Sequence, residues 1–103
     1  MSKSMADVLA EDRRLVVLRG LAEDSGRRMN EYVLKRVLKY FGHDVSRDVV
    51  RADLAWLAEQ RLIRIERLHD DAGAEMQIAH LTEDGEDVGG GRPHPGVARP
   101  APR

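Results

Sequence analysis

Cysteine is absent from this sequence, which excludes disulfides and thiolate metal sites. No apolar run approaches the ~20 residues that a membrane-spanning helix needs. The N-terminus lacks the apolar core of a secretory signal, so the expected location is the cytoplasm. No glycine-rich phosphate loop stands between a strand and a helix, and no nucleophile has a recognisable base. His43, His69, His80 and His94 share no i, i+4 spacing, so neither a metal site nor a cofactor is expected. Carboxylates gather at Glu83, Asp84, Glu86 and Asp87, but they fall in the first turn of a short helix, where the dipole accounts for them without catalysis. An enzyme is therefore not expected.

What is present is one domain's worth of chain: 103 residues, enough for a single modest core. With 17 basic and 18 acidic residues the net charge is near zero, but it is unevenly spread. Residues 27–51 hold seven basic and three acidic side chains, a net of +4, whereas residues 52–91 hold three basic and ten acidic, a net of −7. An electrostatic footprint for a polyanion is thus confined to one stretch.

That stretch runs into VSRDVVRADLAWLAEQRLI, residues 45–63, around which the chain is organised. Ser46 is placed to cap a helix of about residues 46–60, with Asp48 in its first turn complementing the helix dipole. Val50, Leu54 and Leu57 recur at i, i+4 and i+7 as its buried stripe, opposite Arg47, Asp48, Arg51, Ala52 and Ala55. A helix over 30–41 precedes it, capped by Asn30, stapled by Met29 on Leu34, with Leu34, Val37, Leu38 and Phe41 inward and Gly42 as its left-handed stop. Lys35, Arg36 and Lys39 point away from that face, as phosphate contacts would. Two helices joined by about four residues with a glycine make a helix-turn-helix.

Upstream, residues 4–24 predict a proline-free helix capped by Ser4, with Leu15, Leu18, Leu21 and Ala22 as the core stripe of its second half. Glu11 and Arg14 occupy that face in the first half, so the helix should project past the core. Met5, Leu9 and Val16 form a second stripe, interrupted by Asp12, that a small core cannot bury; it predicts a homodimer. Downstream, residues 62–68 and 75–81 predict a two-stranded wing turning at Gly73, with His69 and His80 on exposed strand positions. Met76 and Ile78 fall on one face and Leu81 on the other, which implies a bulge. Thr82 should cap a last helix in which Gly85 permits close approach and Val88 anchors. The domain then spans residues 1–91, and residues 92–103, rich in proline and arginine (Arg92, Arg99, Arg103), read as an unfolded tail.

The VSRDVVRADLAWLAEQRLI stretch, the hairpin and LTEDGEDV together resemble winged helix-turn-helix regulators of the ArsR and MarR type, and the whole chain resembles small winged-helix proteins of Mu-like prophages. The resemblance implies a mainly α fold with a small β-hairpin wing (α+β), a winged helix-turn-helix. It also implies DNA-facing residues at Arg47, Asp48, Val49, Arg51, Ala52 and Ala55. Two positions depart from the ArsR pattern: Ala52 and Asp53 replace an arginine and a histidine, and Arg61 replaces a glycine, which costs about 1 kcal/mol if Arg61 is left-handed. Two functions follow as expectations. One is a DNA-binding transcriptional regulator with double-stranded DNA as partner. The other is a winged-helix protein-interaction module, in phage assembly or as an adaptor, suggested by Asp48 and Asp53 near the reading face and by Asp70 and Asp71 at the wing tip, where arginine would suit a minor groove.

Overall fold

The computed structural model describes residues 2–101. Four helices and three strands follow one another as α1 (Met5–Glu23), β1 (Arg28–Asn30), α2 (Glu31–Tyr40), α3 (Arg47–Glu59), β2 (Ile63–His69), β3 (Glu75–Leu81) and α4 (Glu83–Gly89). All four helices begin where a short polar side chain meets the first-turn amides: Ser4 accepts from Asp7 N–H, Asn30 from Val33, Ser46 from Val49 and Thr82 from Gly85. At Ser4 the box is reciprocal, since the Asp7 carboxylate accepts from the Ser4 N–H. Leu18 and Leu21 of α1, Leu34 and Leu38 of α2, and Val50, Leu54 and Leu57 of α3 are all fully buried and form the centre of the core.

One close approach fixes how α4 meets the sheet. A Cβ on Gly85 would stand 1.9 Å from the Leu62 carbonyl oxygen, so α4 can lie on the start of β2 only because that residue is glycine. Arg61, the residue before that turn, is left-handed at φ 61°, as its place in the ArsR-like pattern implies, and Arg27 is likewise at φ 54°. Both are strained positions for a side chain with a Cβ.

Four expectations are corrected by the fold. The wing is the larger part of a three-stranded antiparallel sheet ordered β1-β3-β2, because Arg28–Asn30 pairs with β3 from Arg28↔His80 to Asn30↔Ile78. The wing needs no bulge: Ile63↔Leu81 to His69↔Glu75 is one unbroken register. Gln77, Ala79 and Leu81 share the core face with Ile63 and Ile65, while Met76 and Ile78 face the other way. The alternation holds throughout, with Leu81 on the core face and Met76 and Ile78 off it, and small Ala79, opposite Met29, fills the place that the two longer side chains leave. Third, Phe41 is 60 % exposed, since α2 ends at Tyr40 and the chain leaves the core through Gly42 at φ 93°.

The fourth correction is the tail. Residues 92–98 form a strap across α1 and α3 instead of an unfolded segment: Val97 is buried, Ala98 N–H donates to the Glu11 carbonyl at 3.1 Å, and Arg14 Nη1 donates to the Gly96 carbonyl at 2.8 Å. Gly96 lies on the Trp56 ring, where a Cβ would come within 2.5 Å, and the His94 ring meets the same indole edge-on at 5.8 Å. The polar pair Glu11 and Arg14, which interrupts the core stripe of α1, is thus where the strap docks. Of the tail's arginines, Arg103 lies outside the described residues.

Candidate nucleic-acid interface

The junction of β1, α2, α3 and the wing is built around one carboxylate. β1 stops pairing at Asn30, and the next residue, Glu31, carries on the ladder with its side chain: Oε2 accepts the Gln77 N–H at 2.6 Å. This side chain is wholly buried, a costly place for a charge unless it is paired and hydrogen-bonded. α3 supplies the pairing from two successive turns. Arg51 forks onto Glu31, Nε to Oε1 at 2.8 Å and Nη2 to Oε2 at 2.8 Å, and Arg47 Nε donates to Oε1 at 2.6 Å. Both guanidiniums reach on to the wing, where the Glu75 carbonyl accepts from Arg47 Nη2 at 2.8 Å and from Arg51 Nη2 at 3.0 Å, and the Glu75 carboxylate from Arg51 Nη1 at 3.1 Å.

Burial pushes the Glu31 carboxyl up, but hydrogen bonds from Arg51, Arg47 and the Gln77 N–H, together with the Arg51 charge, overcome it and hold the pKa at about 2. The hydrogen bond to Glu31 in turn raises both arginines above their ordinary value. Charge-assisted and bidentate, this is the strongest kind of polar contact a domain this size makes.

The cost falls on the face of α3 expected to read bases. Arg47 and Arg51 lie at the flank of α3 facing α2 and the wing; Arg51 keeps 27 % of its side chain exposed and Arg47 43 %. The outward face consists of Asp48, Ala52, Ala55 and Glu59, all exposed, with Val49 half-buried beside them, and none of these side chains donates a hydrogen bond. Asp53 is not on this face at all; it is buried and salt-bridged to Arg13 at 2.6 Å. At the wing tip Asp70 has a local task, since its Oδ1 accepts the N–H groups of Ala72 at 2.9 Å and Ala74 at 2.8 Å and so closes the turn. Asp71 is simply exposed.

Cations on α2 have no such partner. Among the described residues Lys35, Arg36 and Lys39 form no ion pair. Arg36 and Lys39 are exposed and Lys35 is half-buried. Arg36 and Lys39 lie one and two turns beyond Tyr32 on the same side of the helix, and the Arg47 guanidinium stands 5.3 Å over the Tyr32 ring. Arg47 therefore extends the α2 row toward the start of α3. Of the α1 stripe, Met5 and Leu9 are exposed at 72 % and 43 %, whereas Val16 packs against the core and is no part of a free surface.

Sequence reasoning missed Glu31, the residue that decides what the arginines do. The signal available was its place as the first residue after an asparagine cap, with arginines four apart on the next helix, but which carboxylate two arginines choose depends on the sheet.

No family profile matches the sequence. In backbone the chain is similar to TA0346 from Thermoplasma acidophilum, a proposed transcriptional regulator, with a TM-score of 0.66 at 18 % identity over 86 % of this chain and 79 % of that one. It is also similar to F93 from STIV, a winged-helix DNA-binding protein, with a TM-score of 0.50 at 20 % identity over 86 % and 85 % of the two chains. At such identities the likeness establishes the winged-helix fold. In sequence, an uncharacterized protein of Haemophilus influenzae is 49 % identical over 80 residues, 78 % of this chain and 74 % of its own. The uncharacterized protein gp26 of Escherichia phage Mu is 47 % identical over 98 residues, 94 % of this chain and 96 % of its own. Alike along nearly their whole lengths, the two share one ancestry: the chain belongs to the family of phage Mu gp26.

Proposed function

We propose that this protein is a cytoplasmic, phage-type transcriptional regulator that binds double-stranded DNA with α3 toward the major groove and α2 along the phosphates. The observation that carries the reading is the row of Lys35, Arg36, Lys39 and Arg47 on a winged helix, cations that lie beside the reading helix and, but for Arg47, have no carboxylate to hold them among the described residues. F93, which shares the fold, is a DNA-binding protein, and this supports the same role here. Arg51 is held by Glu31, so its part is to fix the angle between α2 and α3 rather than to read a base. Ala52 and Ala55 offer apolar contact to a thymine methyl, and Asp48 and Val49 complete the surface laid against the groove. About four phosphate contacts per protomer imply that log affinity falls with log salt at a slope of about −3 to −4. Fluorescence anisotropy on the intergenic duplex beside its own gene tests this. Binding tighter than about 10 μM at roughly 0.1 M salt supports the reading, since non-specific binders commonly reach that range, and weaker binding to every duplex contradicts it.

A second reading, a protein-interaction module without specific DNA binding, is favoured by the acids Asp48 and Glu59 on the outward face of α3 and by exposed Asp71. It expects no duplex to bind in the same titration.

A further inference from the structure

We propose that the open edge of β2 pairs with β2 of a second copy, joining the two three-stranded sheets into one across a two-fold axis at Ile65. β2 lies at the edge of the sheet, with β3 as its one neighbour. Which of its residues bond to β3 follows from the two ends of the hairpin, where Thr82 N–H donates to the Leu62 carbonyl and Asp70 N–H to the Ala74 carbonyl. The even-numbered residues of β2 therefore direct their amides to β3, and Ile63, Ile65 and Arg67 turn theirs to the open edge. Pairing with β3 runs from Ile63↔Leu81 to His69↔Glu75 without a bulge, so nothing bends this edge away from a further strand. The other edge of the sheet, β1, is only three residues long.

Register selects the occupant. Two copies of one strand that pair antiparallel through their outward amides meet around a residue of β2, and each choice of centre opposes different side chains. A centre at Arg64, Glu66 or Arg67 sets like charges directly opposite one another, which is destabilising. A centre nearer either end leaves little overlap. Centred on Ile65, the strands set isoleucine against isoleucine on the core side and Arg64 against Glu66 of the second copy, in both directions, on the outer side. With a base and an acid on either side of Ile65, β2 is its own complement in this register. Both side chains are free to pair. Arg64 is exposed and forms no ion pair among the described residues. Glu66 keeps 41 % of its side chain exposed, and its Oε1 meets His80 Nε2 at 2.9 Å, while Oε2 has no partner among the described residues. Neither belongs to the α2 row assigned to phosphates. Half-buried Ile65 gains a second isoleucine beside it. The α1 stripe, from which a homodimer was expected, loses Val16 to the core and keeps only Met5 and Leu9 exposed.

The test is sedimentation velocity of the full chain, free of DNA, across micromolar concentrations. Wild type should sediment as a dimer. Arg64→Glu and Glu66→Arg should each weaken self-association by on the order of 10-fold, because each sets like charges opposite one another twice. Mixed in equal amounts, the two variants should associate with each other, and the double exchange Arg64→Glu/Glu66→Arg should dimerise by itself. Arg67→Pro removes an outward N–H and leaves the β3 ladder intact, so it should abolish the dimer while the circular dichroism melt stays near wild type. Leu9→Asp, on the α1 stripe, should change nothing. A monomeric wild type, a dimer that survives Arg67→Pro, or single charge variants that fail to associate when mixed overturns the inference. DNA affinity is read separately, so a monomer that binds DNA would overturn the dimer and leave the DNA reading standing.

Discussion

α2 and α3 are the two halves of one helix-turn-helix, and they use their cations in opposite ways. α3 brings Arg47 and Arg51, and both are paired with Glu31, a carboxylate with no exposed surface, although Arg47 stays 43 % exposed and can still reach outward. α2 brings Lys35, Arg36 and Lys39, which meet no carboxylate among the described residues. By count the two helices look alike, as parts of a segment with net charge +4. In the folded chain the helix expected to read bases is the one whose charge is neutralised. The lesson is that a positive segment becomes a binding face only where the fold leaves its cations unpaired, and one buried acid is enough to move that face from one helix to its neighbour.

The strongest way to break the comparison is to remove the acid. Glu31→Gln leaves two arginines facing a neutral amide, and breaking a buried ion pair from one side costs about 3 kcal/mol. The melting temperature should fall by on the order of 15 °C, read by circular dichroism. Acid does the same work reversibly. Because the folded pKa of Glu31 lies at about 2, below the ordinary glutamate value of 4.5, its contribution is fully present above that ordinary value. It is lost as pH falls toward 2, so wild type should lose stability steeply between about pH 5 and pH 2 and Glu31→Gln should not share that part of the loss. A wild type and variant with parallel acid profiles would show that Glu31 is not the group that matters.

Truncation after Gly91 has the next largest effect. It uncovers Val97's site and one face of Trp56 and removes the Arg14–Gly96 and Ala98–Glu11 hydrogen bonds. A destabilisation of about 2 kcal/mol is expected from the buried valine and its neighbours, measured by urea unfolding. An unchanged midpoint would mean that the strap adds nothing.

How far the sequence foretold this differs by element. Ser4, Asn30, Ser46 and Thr82 announced their helices because a cap is a contact within three residues, and the leucine stripes of α1 and α3 followed from helical period alone. A left-handed Arg61 was legible from the resemblance, which has glycine at that position, and the close approach at Gly85 from a glycine inside a short helix. β1 was not, since a three-residue strand has no period of its own and exists only because His80, Ala79 and Ile78 lie beside it. Nor was the wing's unbroken register, since alternation alone does not say that Ala79 is buried where Met76 and Ile78 are not. The strap defeated composition: its prolines and glycines look unfolded, yet Gly96 is what lets it lie flat on Trp56. Most consequential, the +4 segment was legible and its internal pairing was not. Arg51 and Glu31 stand twenty residues apart and meet only because β3 brings Gln77 and Glu75 between them.

The smallest effects test the central claim most directly. Salt-dependent anisotropy on one duplex and on a scrambled duplex should be compared for wild type, the Arg36→Ala/Lys39→Ala double variant and Arg51→Ala, the last at a temperature where circular dichroism shows it folded. Removing the two α2 cations should lower the salt slope by about 2 and weaken both duplexes alike. Arg51→Ala should lower the melting temperature while leaving the slope and the ratio of the two affinities unchanged. The opposite pattern, a slope indifferent to Arg36 and Lys39 and a sequence preference lost with Arg51, would contradict the account.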